Sequence, residues 1–205
     1  MRCAVCGQEY GVTHACAGVA PAAEEAAPPR ATFAPLHYFL EALRITRWDD
    51  AVVRRTSQDS VALAYGIILW AIGVLLLFSV SVMRLIETGR PVNPLGFLFG
   101  YMFALTVSGA LTLAQFGICH WIVRWLFRGK GTFLALLRPL LLGQIVTWAY
   151  VIPVIGPMVG GLAGVAVLMI VFEEVEGIER MQAFGTAACV GVAFWILAFV
   201  LAPVR

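Results

Sequence analysis

Residues Val61 to Val82 have the sequence VALAYGIILWAIGVLLLFSVSV and contain no charged residue. A helix of about 20 apolar residues crosses the ~30 Å of hydrocarbon in a bilayer. Similar stretches recur along the chain, which predicts five spans: Val61–Val82, Leu95–Cys119, Phe133–Tyr150, Val154–Phe172 and Ala183–Leu201. Because backbone amides in lipid must find partners within their own segment, we predict an all-α membrane protein with a bundle of five transmembrane helices.

The composition agrees with this prediction. Hydrophobic residues make up 61% of the chain and charged residues 13%, against roughly 25% charged in soluble domains. The net charge of +2 is small and the basic residues lie at the predicted membrane edges, so no nucleic-acid partner is expected. No cleavable signal precedes Val61, and the first span is expected to act as an uncleaved insertion signal.

The distribution of Lys and Arg predicts the orientation. A cytoplasmic N-terminus places most basic side chains on one side of the membrane: Arg44, Arg47, Arg54, Arg55, Arg124, Arg128, Lys130 and Arg180. The opposite side then holds Arg84, Arg90 and Arg205. Since basic loops stay on the cytoplasmic side, five spans put the N-terminus in the cytoplasm and the C-terminus outside.

The N-terminus carries a metal-binding pattern. Cys3 and Cys6 form a CxxC pair followed by Gly7, and His14 and Cys16 come after a short polar loop. Two such pairs can complete the tetrahedral site of a zinc ion, and a closed Cys₃His set leaves no position for a water molecule. We therefore predict a structural, zinc-ribbon-like module over residues 1–17 with Zn as its cofactor, in a reducing compartment. A reactive cysteine cluster or a disulfide is the alternative.

Two segments connect this module to the first span. Residues 18–32 are mostly Ala, Pro and Glu, a composition that predicts a flexible tether. In the following Leu36–Arg55, apolar side chains share one helical face: Leu36, Phe39, Leu40 and Leu43. This pattern predicts an amphipathic helix lying in the cytoplasmic interface, with a helix packed on the bundle as the alternative. Asp49 or Asp50 is expected to cap a second short helix.

Several short motifs carry a resemblance to a known family: WLFRGKGTF at Trp125–Phe133, PVIG at Pro153–Gly156, and EVEGI at Glu174–Ile178 with Ala183 beyond. The chain resembles the Ypt-interacting-protein (Yip) domain family, in the bacterial branch that carries an N-terminal zinc ribbon. The resemblance implies a five-helix membrane domain over 33–205, a cytoplasmic N-terminus and a bacterial inner (cytoplasmic) membrane location. The family pattern often has a histidine and a basic residue where this chain has Glu176 and Met181.

The residues after the second span are predicted to contact lipid at the membrane interface: Trp121, Arg124, Trp125, Arg128 and Lys130. Indole rings anchor at the headgroup boundary, and guanidinium groups meet lipid phosphate there. A specific lipid or partner site is the alternative. His120 is interpreted as a satisfied interfacial histidine rather than a proton carrier.

The glycine-containing segment Gly129–Thr132 predicts a turn rather than a phosphate loop, because the GxxxxGK[ST] spacing after a strand is missing. Thr132 is expected to cap the third span. Pro153 and Pro157 bracket a short connection, which predicts a tight hairpin between the third and fourth spans.

Small residues recur every four positions in the fourth span: Gly156, Gly160 and Gly164. This spacing predicts a helix-packing stripe, because small side chains let helix backbones approach closely. The neighbour is expected in the same chain, and a second copy in a homo-oligomer is the alternative.

No catalytic constellation is present, so we do not expect an enzyme. Glu173–Arg180 is interpreted as the solvated end of the fourth helix, not as the double glutamate of a membrane protease. The expected function is an integral membrane scaffold that presents its zinc module to a protein partner at the cytoplasmic face, in membrane organisation or trafficking-like processes. A transporter, channel or lipid-handling protein is the alternative, and a membrane enzyme ranks third.

Overall fold

The computed structural model describes residues 34–89 and 91–201, and each regular element among them is helical. Seven α-helices follow in order: α1 (Pro35–Thr46), α2 (Asp50–Gln58), α3 (Ser60–Glu87), α4 (Pro94–Phe127), α5 (Phe133–Gly143), α6 (Ile155–Val171) and α7 (Arg180–Leu201). A 3₁₀ helix, Gln144–Val151, extends α5, and a π-helix, Phe172–Glu176, extends α6.

Within the described residues, 4 helical segments are long and apolar enough to cross a membrane: Ser60–Glu87, Pro94–Phe127, Phe133–Val151 and Ile155–Glu176. They coincide with the first four predicted spans, so the protein is an integral membrane protein as predicted, and its described part is all-helical. The fifth predicted span coincides with α7, which is not one of these 4 segments. The five-span count therefore stays a prediction.

The core lies where α3 and α1 pack on α5. Leu136, Leu140 and Leu142 of α5 are completely buried. Gly66 allows α3 to approach α5, because a Cβ atom at this position would lie 2.7 Å from the Cβ atom of Leu141. Small residues of this kind let membrane helices come into close van der Waals contact. The Trp148 indole joins the 3₁₀ helix to α3 by donating to the Leu69 carbonyl at 3.2 Å.

The predicted amphipathic segment Leu36–Arg55 is divided in the structure into α1 and α2, and the second short helix begins where it is predicted to be capped. The backbone at Trp48 has a φ of 65°, in the left-handed region, and this ends the helical path after α1. Asp49 then starts α2, and its carboxylate accepts a hydrogen bond from the Val52 amide at 3.3 Å. The predicted helix cap at this position is confirmed.

The buried face of α1 also differs from the predicted face. Ala42 and Ile45 are completely buried against the bundle, whereas Leu36 and Leu40 are 69% and 48% exposed. The alternative of a helix packed on the bundle is therefore favoured. The buried face includes Glu41, which is 2% exposed. A hydropathy pattern misplaces this face because it assigns a glutamate to water.

The predicted tight hairpin between the third and fourth spans is confirmed. The 3₁₀ helix ends at Val151 and α6 begins at Ile155. Val154 turns the chain with a φ of 67°, and the amide of Ile155 donates to the Pro153 carbonyl across it at 2.8 Å. This is the hydrogen bond of a γ-turn, one of the tightest reversals that a backbone makes.

Candidate functional site at the basic end

The polar residues of the described chain concentrate at one end of the bundle, where α2, the last turns of α4, the loop Arg128–Thr132 and the π-helix meet. We call this region the basic end. Arg54 of α2 pairs with Glu174 at 2.8 Å, and Arg180 of α7 pairs with Glu173 at 2.8 Å. Exposed ion pairs contribute only about 0–1 kcal/mol each. The Arg54–Glu174 pair joins segments that are 120 residues apart in sequence, whereas the Arg180–Glu173 pair spans only seven residues and links the π-helix to the start of α7.

Glu176 is the centre of the basic end, and its side chain is completely buried. One carboxylate oxygen lies 2.5 Å from His120 Nδ1, and the other accepts a hydrogen bond from the Gly131 amide at 2.9 Å. The backbone carbonyl of Glu176 accepts from the Lys130 amide at 3.0 Å. A carboxylate is tolerated inside a protein only when it is paired and hydrogen-bonded. This single residue therefore fastens α4 and the following loop to the end of α6.

Two glycines of the loop make room for this carboxylate. A Cβ atom at Gly129 would lie 2.6 Å from Glu176 Oε2 and 2.7 Å from Val123 Cγ1. At Gly131 it would lie 2.8 Å from the Val175 carbonyl oxygen. The segment is thus a turn built around a carboxylate, and the predicted turn is confirmed. Thr132 caps α5 by accepting from the Ala135 amide at 3.3 Å, also as predicted.

The prediction that Glu173–Arg180 is a solvated helix end is wrong at Glu176, which is 1% exposed. Glu176 ends a π-helical turn, and the wider turn shifts the helical register by one residue. Its partner His120 is far away in sequence, so no local pattern indicates the pairing. The two closely spaced glycines of the loop, Gly129 and Gly131, were the available signal.

His120 is nearly buried, with 13% of its side chain exposed, and its ring packs near Phe133 with 5.6 Å between centroids. Its Nδ1 is paired with Glu176. The prediction of a satisfied histidine is confirmed in this respect. In this arrangement His120 and Glu176 pair with each other, and Glu176 also accepts a hydrogen bond from the loop.

A further ionic contact holds α1 to α2. The Glu41 carboxylate accepts from the Arg55 guanidinium and lies 3.1 Å from His37 Nε2. Arg138 of α5 donates to the Ser57 carbonyl at 2.7 Å, near the C-terminal end of α2 where a cation is favoured. Its buried Nε has no hydrogen-bond partner in the described structure. The contact of Glu41 with Arg55 and that of Arg138 with Ser57 were missed in the sequence, because these partners lie on other helices.

The residues predicted to contact lipid are all exposed, and we call them together the Trp–Arg patch: Trp121, Arg124, Trp125, Arg128 and Lys130. The indole rings of Trp121 and Trp125 stack in parallel, with 5.6 Å between centroids and 4° between planes. At 100° per residue they lie on the side of α4 opposite the buried Phe116, Cys119 and Val123. No ion pair to another described residue engages the three cations of the patch.

The three glycines of the predicted packing stripe have different surroundings. A Cβ atom at Gly156 would lie 2.0 Å from the Ala149 carbonyl oxygen, and one at Gly160 would lie 2.8 Å from the Tyr150 ring. Both positions face the 3₁₀ helix of the same hairpin. At Gly164 a Cβ atom would meet nothing within 4 Å in the described structure.

The predicted zinc ligands Cys3, Cys6, His14 and Cys16 lie outside the described residues, as do the module over 1–17 and the tether over 18–32. Across 34–89 and 91–201 no group of His, Cys, Asp and Glu side chains is arranged to hold a metal ion. The cysteines described there, Cys119 and Cys189, are free thiols.

The basic end therefore combines a buried anchor, Glu176, with an exposed surface of cations and indole rings. At this end Glu176 accepts from the Gly131 amide and pairs with His120, and Glu173 and Glu174 pair with arginine side chains. No family model, no curated protein and no solved structure matches this chain.

Proposed function

We propose that this protein is an integral membrane scaffold whose basic end forms a firm platform at the cytoplasmic face, where a tethered zinc module recruits a protein partner. The observation that carries the proposal is the burial of Glu176 between His120 and the Gly131 amide. A buried charge is costly to maintain, and here the cost is offset by contacts that order a surface loop. Such an arrangement is typical of a protein that presents an ordered surface to a partner, rather than of an enzyme that carries out chemistry in a cleft.

The ion pairs support the same function. Glu173 and Glu174, the other carboxylates that an enzyme at this site would use, are paired with Arg180 and Arg54. They join α2, the π-helix and α7, so the platform is connected to several helices of the bundle. The proposal also includes a Yip-like ancestry, zinc in the module, a cytoplasmic orientation and a role in membrane organisation.

The test compares the intact chain with a Cys3→Ser/Cys6→Ser variant after affinity purification from native membranes in mild detergent. Cys189→Ser is the matched control, because this exposed thiol lies in α7, outside the proposed module. We expect about one zinc per chain and a recovered partner with the intact chain and the control, and the loss of both with the double variant. Recovery of the same proteins with all three chains would contradict recruitment by the module.

A transporter or lipid-handling protein is the second candidate, and one observation favours it. A groove of about 500 Å³ opens along α4 beside Phe78, and it contains the polar side chains of Ser108, Thr112 and Gln115. Polar groups within a membrane span often mark the path of a solute. Proteoliposomes that move neither solutes nor lipids above protein-free controls would exclude this candidate.

A further inference from the structure

We propose that the Trp–Arg patch is a binding site for the phosphate headgroup of an anionic phospholipid. The proposal goes beyond the scaffold function, since it assigns a ligand to the membrane domain and holds whether or not a protein partner exists. Trp121 and Trp125 would lie along the upper acyl chains, and Arg124, Arg128 and Lys130 would hold the phosphate. Three features of the patch support this site: its fixed backbone, its cations that no described carboxylate pairs with, and the position of its indole rings.

The backbone that carries the cations is fixed from inside the protein. Arg128 ends α4 with a φ of 58°, and the next amide, that of Gly129, donates to the Val123 carbonyl at 3.3 Å. The amide of Lys130 donates to the Glu176 carbonyl at 3.0 Å. The loop is therefore held on both sides of its sharp turn. A preorganised loop binds an anion at a smaller entropic cost than a mobile one.

The cations of the patch form no ion pair with a described carboxylate. Elsewhere at the basic end Arg54, Arg55 and Arg180 each bind a carboxylate. The carboxylate nearest to the loop, Glu176, is buried and already engaged by His120 and Gly131. The patch consequently presents three positive charges without an acidic side chain among its members. Guanidinium groups recognise phosphate through paired, charge-assisted hydrogen bonds.

The indole rings favour a lipid over a soluble anion. Trp121 and Trp125 are 63% and 73% exposed, and the neighbouring Leu126 is 59% exposed. Together they form an apolar surface directly beside the cations, at the end of a helix long enough to cross the bilayer. Indole rings prefer the headgroup level of a membrane. A free phosphate ion has no apolar part that could contact these rings. A phospholipid contacts the rings with its acyl chains and the cations with its phosphate.

The experiment uses the full chain in nanodiscs of phosphatidylcholine and phosphatidylglycerol, followed by native mass spectrometry of the lipids that stay bound. Arg124→Gln/Arg128→Gln/Lys130→Gln is compared with Arg44→Gln/Arg47→Gln/Arg84→Gln, which removes the same charge from other exposed arginines. We expect the patch variant to lose at least about tenfold in its preference for phosphatidylglycerol, and the control to keep it. Equal preferences in all three proteins, or an equal loss in both variants, would overturn the proposal.

Two further measurements distinguish a bound phospholipid from a bound free anion. Trp121→Ala/Trp125→Ala should also reduce the preference, because the rings hold the acyl part of the lipid. Inorganic phosphate at millimolar concentration should not displace the bound phosphatidylglycerol, and displacement would point to a free anion instead. Circular dichroism and the apparent melting temperature of each variant should match those of the unchanged protein, since every substituted side chain is exposed.

Discussion

Glu176 is a single buried carboxylate that holds a surface loop in place. Glu176→Ala would leave His120 and the Gly131 amide without their shared acceptor in a site closed to water. We expect a loss of about 3–5 kcal/mol of stability, the usual cost of removing one partner of a buried pair. The measurement is the apparent melting temperature in detergent. Glu176→Gln should be intermediate, because the amide oxygen can still accept from Gly131.

Glu179 provides the matched control for this prediction. Its side chain is exposed and lies only three positions further along the chain. Glu179→Ala should change the stability by no more than about 0.5 kcal/mol, as exposed substitutions usually do. If Glu176→Ala and Glu179→Ala had the same small effect, Glu176 would not be the anchor of the loop.

Tyr38 gives a prediction about pH. Its hydroxyl donates to Asp59 Oδ2 at 2.5 Å, and burial, this hydrogen bond and the charges of Asp59 and Glu41 all raise the pKa of Tyr38. The folded state thus favours the protonated phenol, and its contribution to stability is complete below the ordinary pKa of about 10. As pH rises above that value, the unfolded chain ionises first and the contribution is lost.

Tyr38→Phe should therefore cost about 1 kcal/mol at neutral pH, the usual value of one hydrogen bond. The difference between the original protein and Tyr38→Phe should shrink as the pH rises above about 10. Melting temperatures of the two proteins between pH 7 and pH 11 test this. A difference that stays constant over the whole range would show that Tyr38 does not titrate differently in the two states.

Among the elements, α6 contains both a crowded glycine, Gly156, and a glycine without a close described neighbour, Gly164. Gly156→Ala places a methyl group 2.0 Å from the Ala149 carbonyl oxygen, so the hairpin must open. We expect a loss of about 1–3 kcal/mol, which is typical of overpacking. Gly164→Ala meets no described neighbour within 4 Å and should be neutral or stabilising by up to about 1 kcal/mol, because alanine favours the helix. Both are measured as apparent melting temperatures.

An unexpected result at Gly164 would also be informative. If Gly164→Ala destabilised the protein or changed its oligomeric state, a partner outside the described residues would pack against this position. Size-exclusion chromatography with light scattering on both variants distinguishes the two cases. An unchanged mass with a lower melting temperature would indicate a neighbour within the same chain.

The helices follow from hydropathy and capping, and these could be predicted. Uncharged stretches of membrane length can only be helical, and Asp49 and Thr132 mark helix starts through their side-chain oxygens. The second helix could be predicted from Asp49, but the left-handed backbone at Trp48 that turns the chain between α1 and α2 could not, because no residue preference indicates it. The inward position of Glu176 depends on a π-helical turn and on a partner in another helix.

For the molecule as a whole, the described contacts show which segments share an end of the bundle. Lys130 and Glu176 are joined by a backbone hydrogen bond, so the loop after α4 and the segment after α6 lie on the same side. Thr88, at the other end of α3, belongs to the opposite end of the spans. The side reached by the C-terminus depends on whether α7 crosses.

Single-cysteine labelling determines whether α7 crosses the membrane and which end of the bundle faces the cytoplasm. In a chain without its native cysteines, Lys130→Cys and Glu179→Cys should be protected from a membrane-impermeant maleimide in intact cells and labelled after permeabilisation. Thr88→Cys and Arg205→Cys should be labelled in intact cells, because basic segments stay in the cytoplasm and five spans put the C-terminus outside. Protection of Arg205→Cys together with Lys130→Cys would mean that α7 does not cross the membrane. Labelling of Lys130→Cys with protection of Thr88→Cys would reverse the orientation, and with it the cytoplasmic position proposed for the basic end.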